Sequence, residues 1–195
     1  MTNQPIPYAN EPRPDTGLRN NRLGLWLVLA SEIMLFAGLF SALAFLRIGS
    51  TDWPTSALEH GLPLINSFVV AASVLVILFA GRAVTRHEGE FRLLWSLGLG
   101  LGLLVLFIRS AEWSILLGIG RLPSTHNLFG IYFVLTGVHA VLLAGNLAVN
   151  GWILVTGASL ARQDPARHRE RVYGAIVPWL ALVVVWFAIM IGFFV

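Results

Sequence analysis

The sequence predicts an all-α integral membrane protein with five transmembrane helices, its N-terminus in the cytoplasm and its C-terminus outside. Three observations carry this reading. Apolar residues make up 56% of the 195 and charged residues only 12%, roughly half the charged share of a soluble domain. The apolar residues fall in blocks of about twenty, the length a spanning helix needs, and not in the alternating segments of about ten that a spanning β-barrel shows. Finally, the thirteen basic residues, all arginine, are divided very unevenly between alternate loops. The absence of cysteine excludes a disulfide framework and any thiolate metal site.

Residues 1–22 form a polar tail containing Pro5, Pro7, Pro12 and Pro14, a composition that favours an extended chain. Residues 23–195 form the membrane domain. The first block, Leu23–Leu46, carries one charge, Glu32; it is too long, and begins too late, for a signal peptide. Leu62–Ala80 carries none. Leu93–Leu117 holds Arg109 and Glu112 in its second half, and Leu128–Val155 holds His139 and Asn146. Val172–Val195 is uncharged. Each block, at ~1.5 Å per residue, can cross ~30 Å of hydrocarbon. A helix satisfies its own backbone there without water.

Orientation follows from arginine. The tail (Arg13, Arg19, Arg22), the loop after the second block (Arg82, Arg86, Arg92) and the loop after the fourth (Arg162, Arg167, Arg169, Arg171) outweigh Arg47 and Arg121 in the other two loops. The positive-inside bias puts the Arg-rich end in the cytoplasm. The basic balance therefore reports topology and anionic headgroups, and not nucleic acid. Trp26, Trp95 and Trp152 fall near the inner boundary and Trp53 and Trp113 near the outer one, as an aromatic belt would.

Candidate chemistry rests on few residues. Glu32 lies near mid-membrane, where an acid costs ~2.5–3.5 kcal/mol on insertion scales; it reads equally as a proton-linked or lipid-contacting carboxyl and as a neutral acid hydrogen-bonded between helices. Arg109 and Glu112, three apart, share a helix face and can pair. His139 sits alone in the fourth block, while His60, His87, His126 and His168 fall in loops or at boundaries. A haem or copper site needs two or more histidines on facing helices, so no redox centre of the chain's own is expected. Asn66 and Ser73 are candidate interhelical hydrogen bonders, and Gly98, Gly102, Gly137 and Ala144 candidate close contacts.

Several of these residues lie in strings that resemble subunit III of the haem-copper oxidases. Trp26-Leu27, Ser31-Glu32, Met34, Phe36 and Phe40 follow that family's W-L-F-x-x-S-E-x-M-x-F-x-x-x-F segment. Pro63-Leu64-Ile65-Asn66-Ser67 with Ser73 resembles its P-L-L-N-T…S, and Arg109-Ser110-Ala111-Glu112-Trp113 its Q/K-x-x-E-W/Y. Phe129-Gly130-Ile131-Tyr132-Phe133-Val134-Leu135-Thr136-Gly137-Val138-His139 resembles F-x-x-x-F-x-L-T-G-x-H. Trp179 and Trp186 keep the spacing of the last helix's W-H-F-V-D-x-V-W. There are departures: Leu142, Leu180 and Val183 stand where the family often has His, His and Asp, and Gly81-Arg82 replaces a His pair.

The resemblance implies the short five-helix bacterial form, in the bacterial inner membrane. It implies a non-catalytic accessory subunit of a proton-pumping terminal oxidase of aerobic respiration, packed beside subunits I and II. It places haem and copper in the catalytic partner and none in this chain, with phospholipid held in a cleft between helices and support for proton uptake and active-site durability. Glu32 matches the family glutamate known for carbodiimide reactivity. Glu32, Glu112, His139, Arg109 and Asn66 are the proton-linked or lipid-cleft candidates; Trp26, Trp113, Trp179 and Trp186 are the interface or anchor candidates. Two other assignments stay open, a subunit-III-like component of a nitric oxide reductase and an independent small transporter.

Overall fold

Helices account for nearly all of the computed structural model, which describes residues 12–58, 60–84 and 87–194, apart from the Thr55 side chain. Pro5, Pro7, Arg86 and Val195, on which parts of the sequence reading rest, lie outside the described residues. The elements are α1 (Asn20–Gly49), α2 (Gly61–Ala83), α3 (Glu88–Gly118), α4 (Asn127–Gln163) and α5 (Pro165–Phe194), with a short 3₁₀ turn at Thr55–Ala57. All five helices are long and apolar enough to cross a membrane, and the described residues include no strand.

The helix ends have identifiable causes. α3 opens with Glu88 and Glu90 in its first turn, where acids favour the positive end of the helix dipole. It closes on Gly120 at φ 79°, with Gly120 N–H bonded to Leu117 O and Arg121 N–H to Leu116 O, a Schellman stop that glycine adopts without a Cβ penalty. α4 is capped by His126, whose Nδ1 accepts from Leu128 N–H at 3.0 Å.

The region after the fourth apolar block differs from the loop that the sequence reading places there. α4 runs on to Gln163 and α5 begins at Pro165, so Arg162, Arg167, Arg169 and Arg171 all sit on helix. The Asp164 carboxylate accepts from Arg167 N–H at 3.0 Å, as an N-cap does, and Pro165 takes the first helical position, where a missing N–H costs nothing. The 37 residues of α4 span about 55 Å, more than the ~30 Å hydrocarbon core. The arginine-bearing turns are therefore helical extensions beyond the apolar segment.

α2, α3, α4 and α5 close a ring in which each helix packs on its neighbours (α2 on α3, α3 on α4, α4 on α5, α5 on α2), and α1 lies outside it against α4 and α5. One core, containing Ile77, Trp95, Val105, Leu147 and Trp179, fills the ring's middle and Arg-rich half. A second, containing Phe36, Leu43, Leu58, Tyr132, Ile189 and Phe193, joins α1 to the opposite half. Helices α2 and α3 approach closely where a Cβ on Gly98 would come within 2.8 Å of Ile77, and α3 and α4 where one on Gly102 would meet Leu147 at 2.5 Å. Those two expected contacts are present, whereas Ala144 faces outward.

The α1–α5 pair is splayed. The helices meet at one end, where a Cβ on Gly192 would touch Leu43 at 3.0 Å and Arg47 donates to Gly192 O at 3.3 Å. At the Arg-rich end Arg19 and Glu170 form a bridge at 2.5 Å. Between these ties lies an apolar cleft of about 400 Å³, lined by Trp26, Leu29, Ile33, Val177, Leu180 and Val184 among others.

Two parts of the aromatic reading are corrected. Trp95 is fully buried, its indole donating to Asn150 O at 3.1 Å, and so faces the bundle and not a lipid boundary. Trp179 and Trp186 are 2% and 1% exposed; both indoles bond to serines on α2, so these residues lock the ring from inside and offer no outer surface for anchoring. Trp26 and Trp152 remain largely exposed.

Candidate functional site

The buried polar groups line up along the inner seam of the four-helix ring. On α3, Arg109 and Glu112 stand one turn apart, and both side chains are nearly buried. Arg109 Nη1 donates to Glu112 Oε2 at 2.7 Å and to the Tyr132 hydroxyl of α4 at 3.1 Å. The Tyr132 hydroxyl in turn donates to Glu112 Oε1. The guanidinium lies over the Trp186 ring, 4.3 Å from its centroid, so α3, α4 and α5 meet at a single cation. Burial makes this arrangement consequential, because a charge in low dielectric must be paired and hydrogen-bonded.

Hydrogen bonds from the tryptophans extend the seam. Trp186 Nε1 donates to Ser67 Oγ at 3.0 Å, and Trp179 Nε1 to Ser73 Oγ at 3.2 Å. Trp113 Nε1 donates to Thr136 Oγ1 at 3.2 Å, and Thr136 to Tyr132 O at 2.7 Å. His139 Nε2 bonds the Leu182 carbonyl at 3.0 Å; a carbonyl only accepts, so Nε2 carries the proton. Nearer the Arg-rich end, Asn150 Nδ2 donates to Asn146 O at 2.8 Å and also to the Asn146 side chain.

The structure thus brings Arg109, Glu112 and His139 onto one seam with Ser73. It gives Ser67, and not Asn66, the hydrogen bond from α5: Asn66 is fully buried and neither of its amide atoms has a partner. Glu32 stands apart on α1, half-buried, with Oε2 unpartnered. Among the described residues there is no group of three or more His, Asp or Glu arranged to hold a metal ion. Two departures from the family strings acquire places: Leu180 helps make the α1–α5 cleft apolar, and Val183 lines a small cavity beside His139.

The sequence gives no role to Tyr132, Ser67 and Thr136 beyond their places in the family strings, none to Asn150, and only a loop or boundary position to His168, which the structure instead buries on α5. An aromatic or hydroxyl residue in an apolar block looks like core until its partner helix is known. Asn150 and the string containing Tyr132 carry a signal, since amides and hydroxyls inside a span seek one another. His168 carried none: it packs on Gly157, where a Cβ would come within 2.8 Å of its ring, and edge-on to Phe91.

The described residues form an apolar bundle of five helices long enough to cross a membrane, with polar groups mostly spent on one another. Comparison of sequences shows what the chain is similar to. The chain is 28% identical to the cytochrome bo(3) ubiquinol oxidase subunit 3 of Buchnera aphidicola, over 64% of the chain and 68% of that protein. It is 26% identical to the cytochrome c oxidase subunit 3 of Thermostichus vulcanus, over 84% and 81%. It is 27% identical to the haem-copper oxidase subunit I+III of Aeropyrum pernix over 69% of the chain, a segment that is 18% of that longer protein. No family model matches the chain. Over most of its length the chain is thus similar to subunit 3 of cytochrome c and quinol oxidases, and its five long apolar helices make it a multi-pass membrane protein.

Proposed function

We propose that the chain packs against the flank of the catalytic subunit I, with subunit II in the same complex, in a bacterial inner membrane, and that it sustains turnover there without carrying electrons itself. The observation that carries the reading is the match to a relative named subunit I+III; a joined polypeptide of that kind supports side-by-side packing of the two parts. The Arg-rich end, with Arg19 and the four helical arginines at the α4–α5 junction, faces the cytoplasm on this reading. Haem and copper reside in the partner.

The α1–α5 cleft is the site proposed for phospholipid. Its walls are hydrocarbon, and it lies at the level of the Arg-rich half, so an acyl chain can enter it while arginines meet the headgroup phosphate. Glu32, on the same helix, is the proposed proton-linked carboxyl, and the Arg109–Glu112 seam is proposed to hold the bundle in register for docking. Interhelical polar contacts contribute only ~0.6 kcal/mol each on average, so shape over the exposed apolar faces dominates association.

The test is affinity purification of the tagged full-length chain from native membranes. The expected result is a complex with a haem absorbance spectrum and two larger polypeptides. A colourless chain purifying alone from membranes that contain active oxidase would refute the proposal.

A further inference from the structure

Asn66 presents two unmet donors and an unmet acceptor in a fully buried position, and Arg109 Nη2 is also buried without a partner. These groups lie at one level. Helices α2 and α3 run antiparallel, Gly98 meets Ile77, and Pro63 shares a cavity wall with Glu112; both pairings set residue 66 opposite residue 109. Ser67, the next residue along, holds Trp186, whose ring carries the Arg109 guanidinium.

Small cavities flank this level. One, about 20 Å³, is lined by Leu58, Leu62, Pro63 and Glu112 with Ile115 and Leu116, toward the end that carries the α1–α2 and α3–α4 loops. The other, also about 20 Å³, lies deeper and is bordered by Ser73, His139, Trp179 and Val183. A water needs about 10–15 Å³ of such space and two to four polar partners. The first cavity offers the Glu112 carboxylate; the second offers Ser73 Oγ and His139, whose Nδ1 stays an acceptor because Nε2 is committed to Leu182. Arg109 is neutralised by Glu112, so the local charge selects a neutral polar ligand over an anion.

We propose that the seam binds water. Molecules held by Asn66 and Arg109 Nη2 join the two cavities into a hydrated strand that enters from the α1–α2/α3–α4 loop end and stops at Ser73. Beyond Ser73 the ring is closed: Ile77 and Trp95 are fully buried, and Leu147 and Trp179 fill the space over Gly102. The strand therefore hydrates one half of the bundle and conducts nothing through it. It satisfies groups that would otherwise sit unpaired in hydrocarbon.

Radiolytic hydroxyl footprinting of the intact complex in H₂¹⁸O tests this. Trp186, Trp179 and Trp95 are equally inaccessible to bulk solvent, but only the first two adjoin the strand. The expected result is several-fold faster ¹⁸O labelling of Trp186 and Trp179 than of Trp95. Asn66→Leu should bring Trp186 down to the Trp95 rate, and Asn66→Ser, which keeps a polar group and leaves more room, should retain labelling. Equal rates at the three tryptophans in the unaltered protein would overturn the proposal, as would undiminished labelling in Asn66→Leu. If Asn66→Leu fails to assemble, the comparison within the unaltered protein still decides.

Discussion

Glu112→Leu removes the carboxylate from a site where both charged side chains are nearly out of reach of solvent, 4% and 8% exposed. Arg109 would keep the Tyr132 hydroxyl and the Trp186 face but lose its counter-charge, and the Tyr132 hydroxyl would lose its acceptor. Stranding one member of a buried pair costs about 3–5 kcal/mol. At ~2–4 °C per kcal/mol for a chain of this size, that is a fall of ~6–20 °C in melting temperature. Arg109→Leu combined with Glu112→Leu leaves no buried charge. Its residual cost is the unmet Tyr132 hydroxyl, about 1–3 kcal/mol, or ~2–12 °C on the same scale. The double variant should therefore melt above Glu112→Leu alone, and thermal unfolding followed by tryptophan fluorescence reads this directly. A Glu112→Leu protein that melts with the unaltered one, or a double variant that melts below either single, would refute the buried-pair account.

Three further outcomes follow from particular contacts. Gly157→Ala drives a methyl to within 2.8 Å of the His168 ring, itself backed by Phe91; overpacking of that kind costs about 1–3 kcal/mol, and His168→Ala in the same chain should recover part of the lost melting temperature. Asp164→Ala removes the cap that starts α5, at about 1 kcal/mol, and hydrogen exchange at the Arg167 amide should quicken while exchange in mid-α5 stays slow. Ala181→Trp fills the α1–α5 cleft from its α5 wall; native mass spectrometry of the complex should show fewer retained phospholipids, and unchanged retention would remove the cleft as their site.

The helix count and the paired charges on α3 were legible because they depend on local pattern: block length fixes a span, and a spacing of three fixes a shared face. What stayed hidden depends on which helices are neighbours. Asn66 and Ser67 are adjacent polar residues in the same turn, and only the ring closure of α2 on α5 decides that Ser67 meets Trp186 while Asn66 is left unpaired. Trp179 and Trp186 look like surface anchors in one dimension because their spacing says nothing about which way a helix turns. The helical junction at residues 162–171 is a different case. Asp164-Pro165 is a helix-start signal, present in the sequence and outweighed in the reading by the surrounding charge. The α1–α5 cleft had no signal of its own in the sequence; its walls come from the splay of two helices tied at Arg19–Glu170 and at Gly192.

On the proposed function, this chain serves a redox neighbour and holds no electron carrier. The most direct measurement compares the oxidase purified with and without the chain, reading haem per complex and the time course of oxygen consumption in the same sample. The expected result is equal haem content, an initial rate of the same order, and a faster decline during turnover when the chain is absent. Loss of haem in proportion to loss of the chain would contradict it, and so would oxygen consumption equally durable without the chain.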